Sequence, residues 1–320
     1  MSKLVVNYTN LTDESIYERI AYPAGELQIR IKPQYIELVE LAKEIVIQVR
    51  LQILGTEHSS AYTMHANLAG LVLLSDALHG INPTAKQILQ LPYLPYSRAD
   101  RRFVDGDCHG LATFGKMLEA GEFREVVTLD VHNYNKAHMF IRNLVNVVPR
   151  VEILQAIVDF EDICKEKPAI LFPDAGAAKR YKKLGCIPAD MKVYYCEKHR
   201  DVNGKFIGFK IPDIGLLPLL HSSFLIIDDL CDGGGTFNDI ARLLEEEYGT
   251  ETRLLLGLYI TTGIFSKGLF ELARHFRKIY FTDSIRIDQR VFDSGTGLLK
   301  TMSAFAALEC PDNTRMTGEE

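Results

Sequence analysis

The chain has 320 residues, enough at about 150 residues per domain for two domains that each bury a core. Lys plus Arg is 36 against 42 Asp plus Glu, a formal charge of −6, so there is no basic excess to hold nucleic acid. A content of 47% hydrophobic and 24% charged residues excludes disorder.

The opening MSKLVVNYTNLTDES has no apolar core of signal-peptide length, and apolar stretches such as Leu68–Leu74 fall short of the roughly 18 residues that a spanning helix needs. No membrane partner is expected, and the expected location is cytoplasmic. The six cysteines form no CxxC pair and no zinc-ribbon spacing, so they read as reduced packing thiols.

Short β-branched runs alternate with segments of helical period, the pattern of parallel sheets flanked by helices. In chain order, strands are expected at Ile45–Leu51, Gln87–Leu91, Val126–Asp130, Ala169–Phe172, Lys192–Cys196, Phe224–Asp228 and Leu254–Tyr259. A helix is expected over Ala61–Leu78, with Met64, Leu68, Leu71 and Leu78 near one face, Gly80 as its C-cap and Pro83 as a stop. The alternation restarts after Val147–Pro149, which sets a boundary near 150 and divides the chain into 1–150 and 151–320. HRDVNGKFIGFKIP, residues 199–212, reads as a mobile loop or a hairpin, and the polar tail after Glu309 as frayed.

Five segments carry chemistry. LPYLPYSRADRRFV, residues 91–104, runs from a strand into a loop with Arg98, Asp100, Arg101 and Arg102, whose forked guanidinium groups suit a polyphosphate. VVTLDVH ends a buried-type strand at Asp130, with His132 just beyond it, where an imidazole could bind a metal or a phosphate oxygen. Asp174 follows the strand 169–172 and could coordinate Mg²⁺ or hydrogen-bond a sugar. Lys198 and Arg200 stand at the root of the 199–212 loop, where two cations could close over a transferring phosphoryl group.

The sharpest signal is FLIIDDLCDGGGTF, residues 224–237, in which a strand ends in Asp228 and Asp229 and a glycine turn leads into a helix. The amides of Asp232, Gly233, Gly234, Gly235 and Thr236 can converge on a phosphate at the positive end of that helix dipole. The paired aspartates can accept hydrogen bonds from vicinal hydroxyls. Neither GxxxxGK[ST] nor GxGxxG is present.

This last element resembles the phosphoribosyl pyrophosphate (PRPP) signature of type I phosphoribosyltransferases and of PRPP synthetases. With the other four segments, the order and spacing resemble the ribose-phosphate pyrophosphokinase (PRPP synthetase) family from Tyr22–Glu26 to about Asp283. The resemblance implies two tandem phosphoribosyltransferase-like α/β domains, each a mostly parallel sheet flanked by helices, with the ATP site at their junction and the sugar-phosphate site in the second. It implies ATP contacts at Glu26, Arg98, Asp100, Arg101 and His132, Mg²⁺ at His132 and Asp174, and transition-state stabilisation by Lys198 and Arg200, with His132 also catalytic. Ribose 5-phosphate would be held by Asp228, Asp229, Asp232, Gly233, Gly234, Gly235 and Thr236. The implied reaction makes PRPP and AMP from ribose 5-phosphate and Mg-ATP in a homo-oligomer, a dimer or a hexamer. Two alternatives are a phosphoribosyltransferase that consumes PRPP and a catalytically silent, synthetase-like regulatory subunit. Against the family pattern, Gly233 replaces a usual Thr, and Ala24 and Ala99 stand where Asp and Gln are common.

Overall fold

β-branched runs such as Glu44–Gln48, Leu144–Val148 and Ala169–Phe172 are buried almost continuously rather than alternately, because helices cover both faces of a parallel sheet. The computed structural model describes residues 2–8, 15–52, 64–102, 104–200, 206–249, 254–286 and 297–317. The first part of the chain gives β1 (Lys3–Asn7), the antiparallel hairpin β2 (Tyr17–Ala21) and β3 (Leu27–Ile31), α1 (Ile36–Glu40), β4 (Glu44–Gln48) and β5 (Leu51–Gln52). There follow α2 (Met64–Ile81), β6 (Lys86–Gln90), α3 (Gly110–Glu119), β7 (Glu125–Leu129), α4 (Tyr134–Phe140) and β8 (Leu144–Val148).

The second part continues with α5 (Arg150–Cys164), β9 (Ala169–Phe172), α6 (Ala175–Lys183), β10 (Val193–Tyr195), and a two-stranded ribbon of β11 (Glu197–Arg200) and β12 (Phe206–Lys210). It closes with α7 (Leu217–Leu220), β13 (Ser223–Cys231), α8 (Gly235–Tyr248), β14 (Leu255–Gly263), α9 (Phe270–His275), β15 (Lys278–Thr282), β16 (Ile285–Arg286), β17 (Leu299–Met302), α10 (Ala304–Glu309) and β18 (Thr314–Met316).

Two six-stranded sheets result, in the orders β1-β4-β6-β7-β8-β18 and β10-β9-β13-β14-β15-β17. All pairings within them are parallel except β18 against β8. This is the expected fold class. Among the described residues, no helix is long and apolar enough to cross a membrane.

Three local expectations change. Gly80 lies inside α2 rather than capping it. The helix stops because Asn82, whose side chain donates to the carbonyls of Val39, Glu40 and Ala42 at 2.9, 3.0 and 2.8 Å, is pinned to the α1–β4 connection ahead of Pro83. The strand expected at Phe224–Asp228 runs on to Cys231, so the paired aspartates belong to the strand itself. Residues 61–63 of the expected helix and 201–205 of the expected loop lie outside the described residues.

The tail after Glu309 is not frayed. Thr314, Arg315 and Met316 pair with Val148, Val147 and Asn146, while Ala304, Phe305, Ala307 and Leu308 of α10 pack on Val127, Leu129, Val145 and Val147. Asn313 anchors the return, its Oδ1 accepting from the Val151 amide at 2.7 Å and its Nδ2 donating to Glu152 at 2.8 Å. The chain thus leaves the first sheet at β8 and comes back to complete it. A second stitch joins the sheets where Ile285 and Arg286 pair with Leu51 and Gln52, beside an Arg50–Asp283 ion pair at 2.7 Å.

Cys186, Cys196 and Cys231 are buried and all six cysteines are free thiols. Burial pushes the thiols of Cys186, Cys196 and Cys231 up to about 12, which keeps them protonated and inert.

Candidate active site

The second sheet places its chemistry at the carboxyl end of β13, a central strand held between β9 and β14. Asp228 and Asp229 alternate across the pleat. Asp229 is 6% exposed. The Asp228 side chain folds back to accept from the Asp229 amide at 2.9 Å. Burial together with the neighbouring Asp229 charge pushes the Asp228 carboxyl well above the usual carboxylate range. Burial opposes ionisation of Asp229 as well, but the hydrogen bond from His132 and the charge of Arg180 outweigh it and hold Asp229 low. The negative charge of the pair is therefore drawn toward Asp229, and both carboxyls offer oxygens to the hydroxyls of a diol.

Beyond β13 the chain turns at Gly234, whose φ of +78° is open to glycine at little cost. A Cβ at Gly234 would also lie 3.2 Å from Leu272 Cγ, whereas one at Gly235 would meet nothing within 4 Å. Gly234 caps α8 without a side-chain acceptor, which leaves the first amides of a fourteen-residue helix for an anion. On the inner face of that helix Phe237, Ile240, Ala241, Leu244 and Tyr248 are buried, as their spacing predicts.

From the first sheet, β7 delivers His132 to the same place. Just past the strand stands Asp130, buried with a left-handed φ of 48°, and the chain then turns so that His132 Nδ1 lies 2.7 Å from Asp229 Oδ2. That hydrogen bond raises the His132 pKa in spite of partial burial, which acts the other way.

Three side chains of the second half hold the turn. Thr261 Oγ1 donates to Asp130 Oδ2 at 2.6 Å, the Tyr181 hydroxyl donates to the same oxygen at 2.5 Å, and Arg180 Nη1 donates to the Val131 carbonyl at 3.0 Å. Arg180 Nη2 lies 3.3 Å from Asp130 Oδ1. Burial keeps the Asp130 pKa raised even so, against the charge of Arg180 and the two hydroxyl hydrogen bonds.

Asp174 lies just beyond β9. One of its oxygens caps α6 by accepting from the Ala177 amide at 2.9 Å, and the other is 4.0 Å from Lys198 Nζ on β11. Lys198 is 50% exposed and pairs in register with Phe209 of β12, so the ribbon backbone sets the height of its side chain. Arg200 is the last residue of β11.

These parts meet in one cleft of about 150 Å³, lined by Arg98, His132, Asp174, Lys198, Asp228, Asp229, Asp232 and the backbone from Gly233 to Thr236. Of the sequence expectations with described side chains, Glu26, Asp100 and Arg101 do not line it, and the side chain of Arg200 lies outside the described residues. Glu26 is exposed and its carbonyl accepts from the Tyr22 amide at the tip of the β2–β3 hairpin, at 2.9 Å. Asp100 pairs with Lys136 at 2.9 Å, and Arg101 is exposed on the loop before α3.

Sequence reasoning missed Arg180, Tyr181 and Thr261. The first two stand in AAKRYKK, whose basic residues read as a solvated helix face. The one available signal was Tyr181, a large aromatic in an otherwise polar helical run.

No family model matches the chain. Ribose-phosphate pyrophosphokinases from Saccharolobus solfataricus and Pyrococcus abyssi are each 28% identical to it, over 237 residues (73% of this chain, 77% of that protein) and over 251 residues (78% and 77%). The enzyme of that name from Hyphomonas neptunium is 24% identical over 263 residues, 79% of each chain. The crystal structure of phosphoribosylpyrophosphate synthetase from Mycobacterium smegmatis superposes with a TM-score of 0.72 over 97% of both chains at 16% identity, which makes the fold the same. The chain is thus similar to ribose-phosphate pyrophosphokinases over roughly three-quarters of its length, and it shares the fold of a phosphoribosylpyrophosphate synthetase over nearly all of it.

Proposed function

We propose that the chain transfers the diphosphoryl group of ATP to ribose 5-phosphate, giving PRPP and AMP. The supporting observation is the single cleft in which Arg98 and His132 of the first half face Lys198, Asp174 and the phosphate loop of the second. In this reading the 1-hydroxyl oxygen attacks the β-phosphorus, the bond from that phosphorus to the oxygen shared with the α-phosphorus breaks, and AMP leaves. Asp228 and Asp229 hold the ribose hydroxyls, and the amides from Asp232 to Thr236 hold the 5-phosphate. Glu26, Arg98, Asp100, Arg101 and His132 bind the nucleotide, and Lys198 with Arg200 neutralises charge developing on the transferred group, so that positioning and electrostatics supply most of the rate.

The Asp174 carboxylate is the oxygen donor that suits magnesium. Among the described residues no three His, Cys, Asp or Glu side chains form a cation cage. Magnesium needs none when it keeps its waters and binds through one or two protein groups plus substrate phosphates. Asp174 and His132 are the groups that would hold it, and bound there it would neutralise phosphate oxygens.

We take the enzyme to be cytoplasmic and to work as a homo-oligomer. Assembly is supported by apolar side chains left outside, Leu38 on α1 at 48% and Leu41 just after it at 66% exposure. Sedimentation at working concentration reports that state.

Incubation with ribose 5-phosphate and Mg-ATP should release AMP and PRPP in equal amounts, with chelation stopping the reaction. Absence of AMP, with PRPP consumed in the presence of a free base, would identify a phosphoribosyltransferase instead. ATP binding without turnover at any magnesium concentration would identify a silent subunit.

A further inference from the structure

The phosphate loop is short of positive charge. Between Phe224 and Ala241 there is no Lys or Arg, while Asp228, Asp229 and Asp232 line the cleft. A dianionic phosphate held there by amides alone would sit among carboxylates, and the cations that line the cleft, Arg98 and Lys198, belong to other segments.

A third cation leans on the loop from behind. After β14 the chain makes a tight turn whose amides hydrogen-bond the phosphate loop: Ile264 N donates to Cys231 O at 2.8 Å and Ser266 N to Asp232 O at 3.1 Å. The turn is braced by Phe265, held at a φ of 50° with its ring buried edge-on against Phe281 at 5.4 Å, and by Gly268 at a φ of 76°. Lys267 sits at its apex with an exposed side chain. Its stem lies where a side chain on Gly233 would be: a Cβ added there would stand 3.1 Å from Lys267 Cδ and 3.2 Å from Cε and Cγ. The Gly233 backbone is not left-handed, so conformation does not demand glycine at this position. What the missing side chain provides is room for the lysine.

We propose that Lys267 is a binding residue for the 5-phosphate of the pentose substrate, and that Gly233 is the vacancy that lets it reach. The proposal rests on the cleft being the ribose 5-phosphate site. A charge-assisted contact to phosphate supplies here the positive charge that the loop itself lacks.

The test is calorimetric titration of the full chain with ribose 5-phosphate, with ribose as the phosphate-free control, on Lys267→Ala, Lys267→Arg, Gly233→Thr and the Gly233→Thr/Lys267→Ala double variant. Lys267→Ala should weaken ribose 5-phosphate binding about tenfold and leave ribose unaffected, with Lys267→Arg close to the parent. Gly233→Thr, by displacing the stem, should give a similar loss, and the double variant should lose no more than either single one. Unchanged ribose 5-phosphate affinity in Lys267→Ala overturns the proposal, as do losses that add in the double variant or an equal loss for ribose. A parent protein that releases AMP while Lys267→Ala binds normally sinks this inference alone. A parent that binds no ribose 5-phosphate sinks the reading of the cleft together with it.

Discussion

The proposed sugar-phosphate half and the proposed nucleotide half of the cleft are built in opposite ways. On the second sheet the groups are short and buried: Asp229 is 6% exposed on a nine-residue strand, and the turn after it is set by Gly234 at a φ of +78°. On the first sheet they are long cations on a loop, with Arg98, Arg101 and Arg102 all exposed. Short buried groups are fixed before a ligand arrives, whereas long exposed side chains are held less firmly, here through contacts such as that of Arg102 with the Asp107 carbonyl. In the proposed reading, the sugar-phosphate site is the more rigid of the two and the nucleotide site the more adaptable. His132 departs from this division because the other half holds it, and Asp100 departs because Lys136 does.

The strongest test of that contrast is to free His132 from its hold. Arg180→Ala leaves Asp130 buried without its cation, since the Asp130 side chain is fully covered and Arg180 lies 3.3 Å away. Breaking such a pair should cost about 3 kcal/mol in urea unfolding. Arg180→Lys should recover only part of this, because a lysine cannot bond Asp130 and the Val131 carbonyl together.

Lys198→Ala should lower kcat on the order of 10²-fold or more, with ribose 5-phosphate affinity nearly unchanged. Near-normal turnover would remove Lys198 from the transition state. Gly234→Ala attacks the preformed half directly, through the left-handed φ and the contact with Leu272 at 3.2 Å. About 1–2 kcal/mol of stability should go, and the KM for ribose 5-phosphate should rise while that for ATP stays.

Arg101→Ala tests the adaptable half, where the KM for ATP should rise only about threefold with no change in thermal stability, because an exposed charge contributes about 0.6 kcal/mol. A loss as large as that of Lys198→Ala would mean that the arginine loop is as ordered as the glycine turn.

The smallest effect is a control outside the cleft. Asp159 accepts from Lys300 and from the Tyr280 hydroxyl at 2.7 Å. Burial pushes its carboxyl up, but these bonds outweigh it and hold the pKa below the ordinary value. A depressed carboxylate contributes stability that is complete above its unfolded pKa of about 3.9 and is lost as the pH falls through the folded value. Asp159→Asn should therefore lower thermal stability slightly at neutral pH, by about 0.5 kcal/mol, and flatten the acid limb of the Tm–pH curve.

Much of this was legible in the sequence where local chemistry and strand ends coincide. Asp228, Asp229 and the glycine turn announce themselves because a phosphate loop needs glycines, amides and a helix start in one order. His132 and Asp174 are visible as polar residues just past buried strands. The ties between the sheets were not visible, because they depend on which distant residues meet. Thr261 is an unremarked threonine in a β run until Asp130 is found beside it. Thr314–Met316 carries no apolar period, and as a sheet-edge strand it is held through its backbone. Gly80 looked like a helix cap because glycine is common there, but the true stop, Asn82, works through carbonyls some forty residues upstream.

The return of α10 and β18 to the first sheet has a consequence for synthesis on the ribosome. Val127, Val145 and Val147 have no covering helix until Ala304–Leu308 have emerged, long after β8. The amino-terminal half therefore waits, with an open sheet edge and an uncovered apolar face, while the other half is translated. A chain cut near residue 150 would therefore lack the segment that completes its sheet, which residues 303–317 supplied in trans should restore.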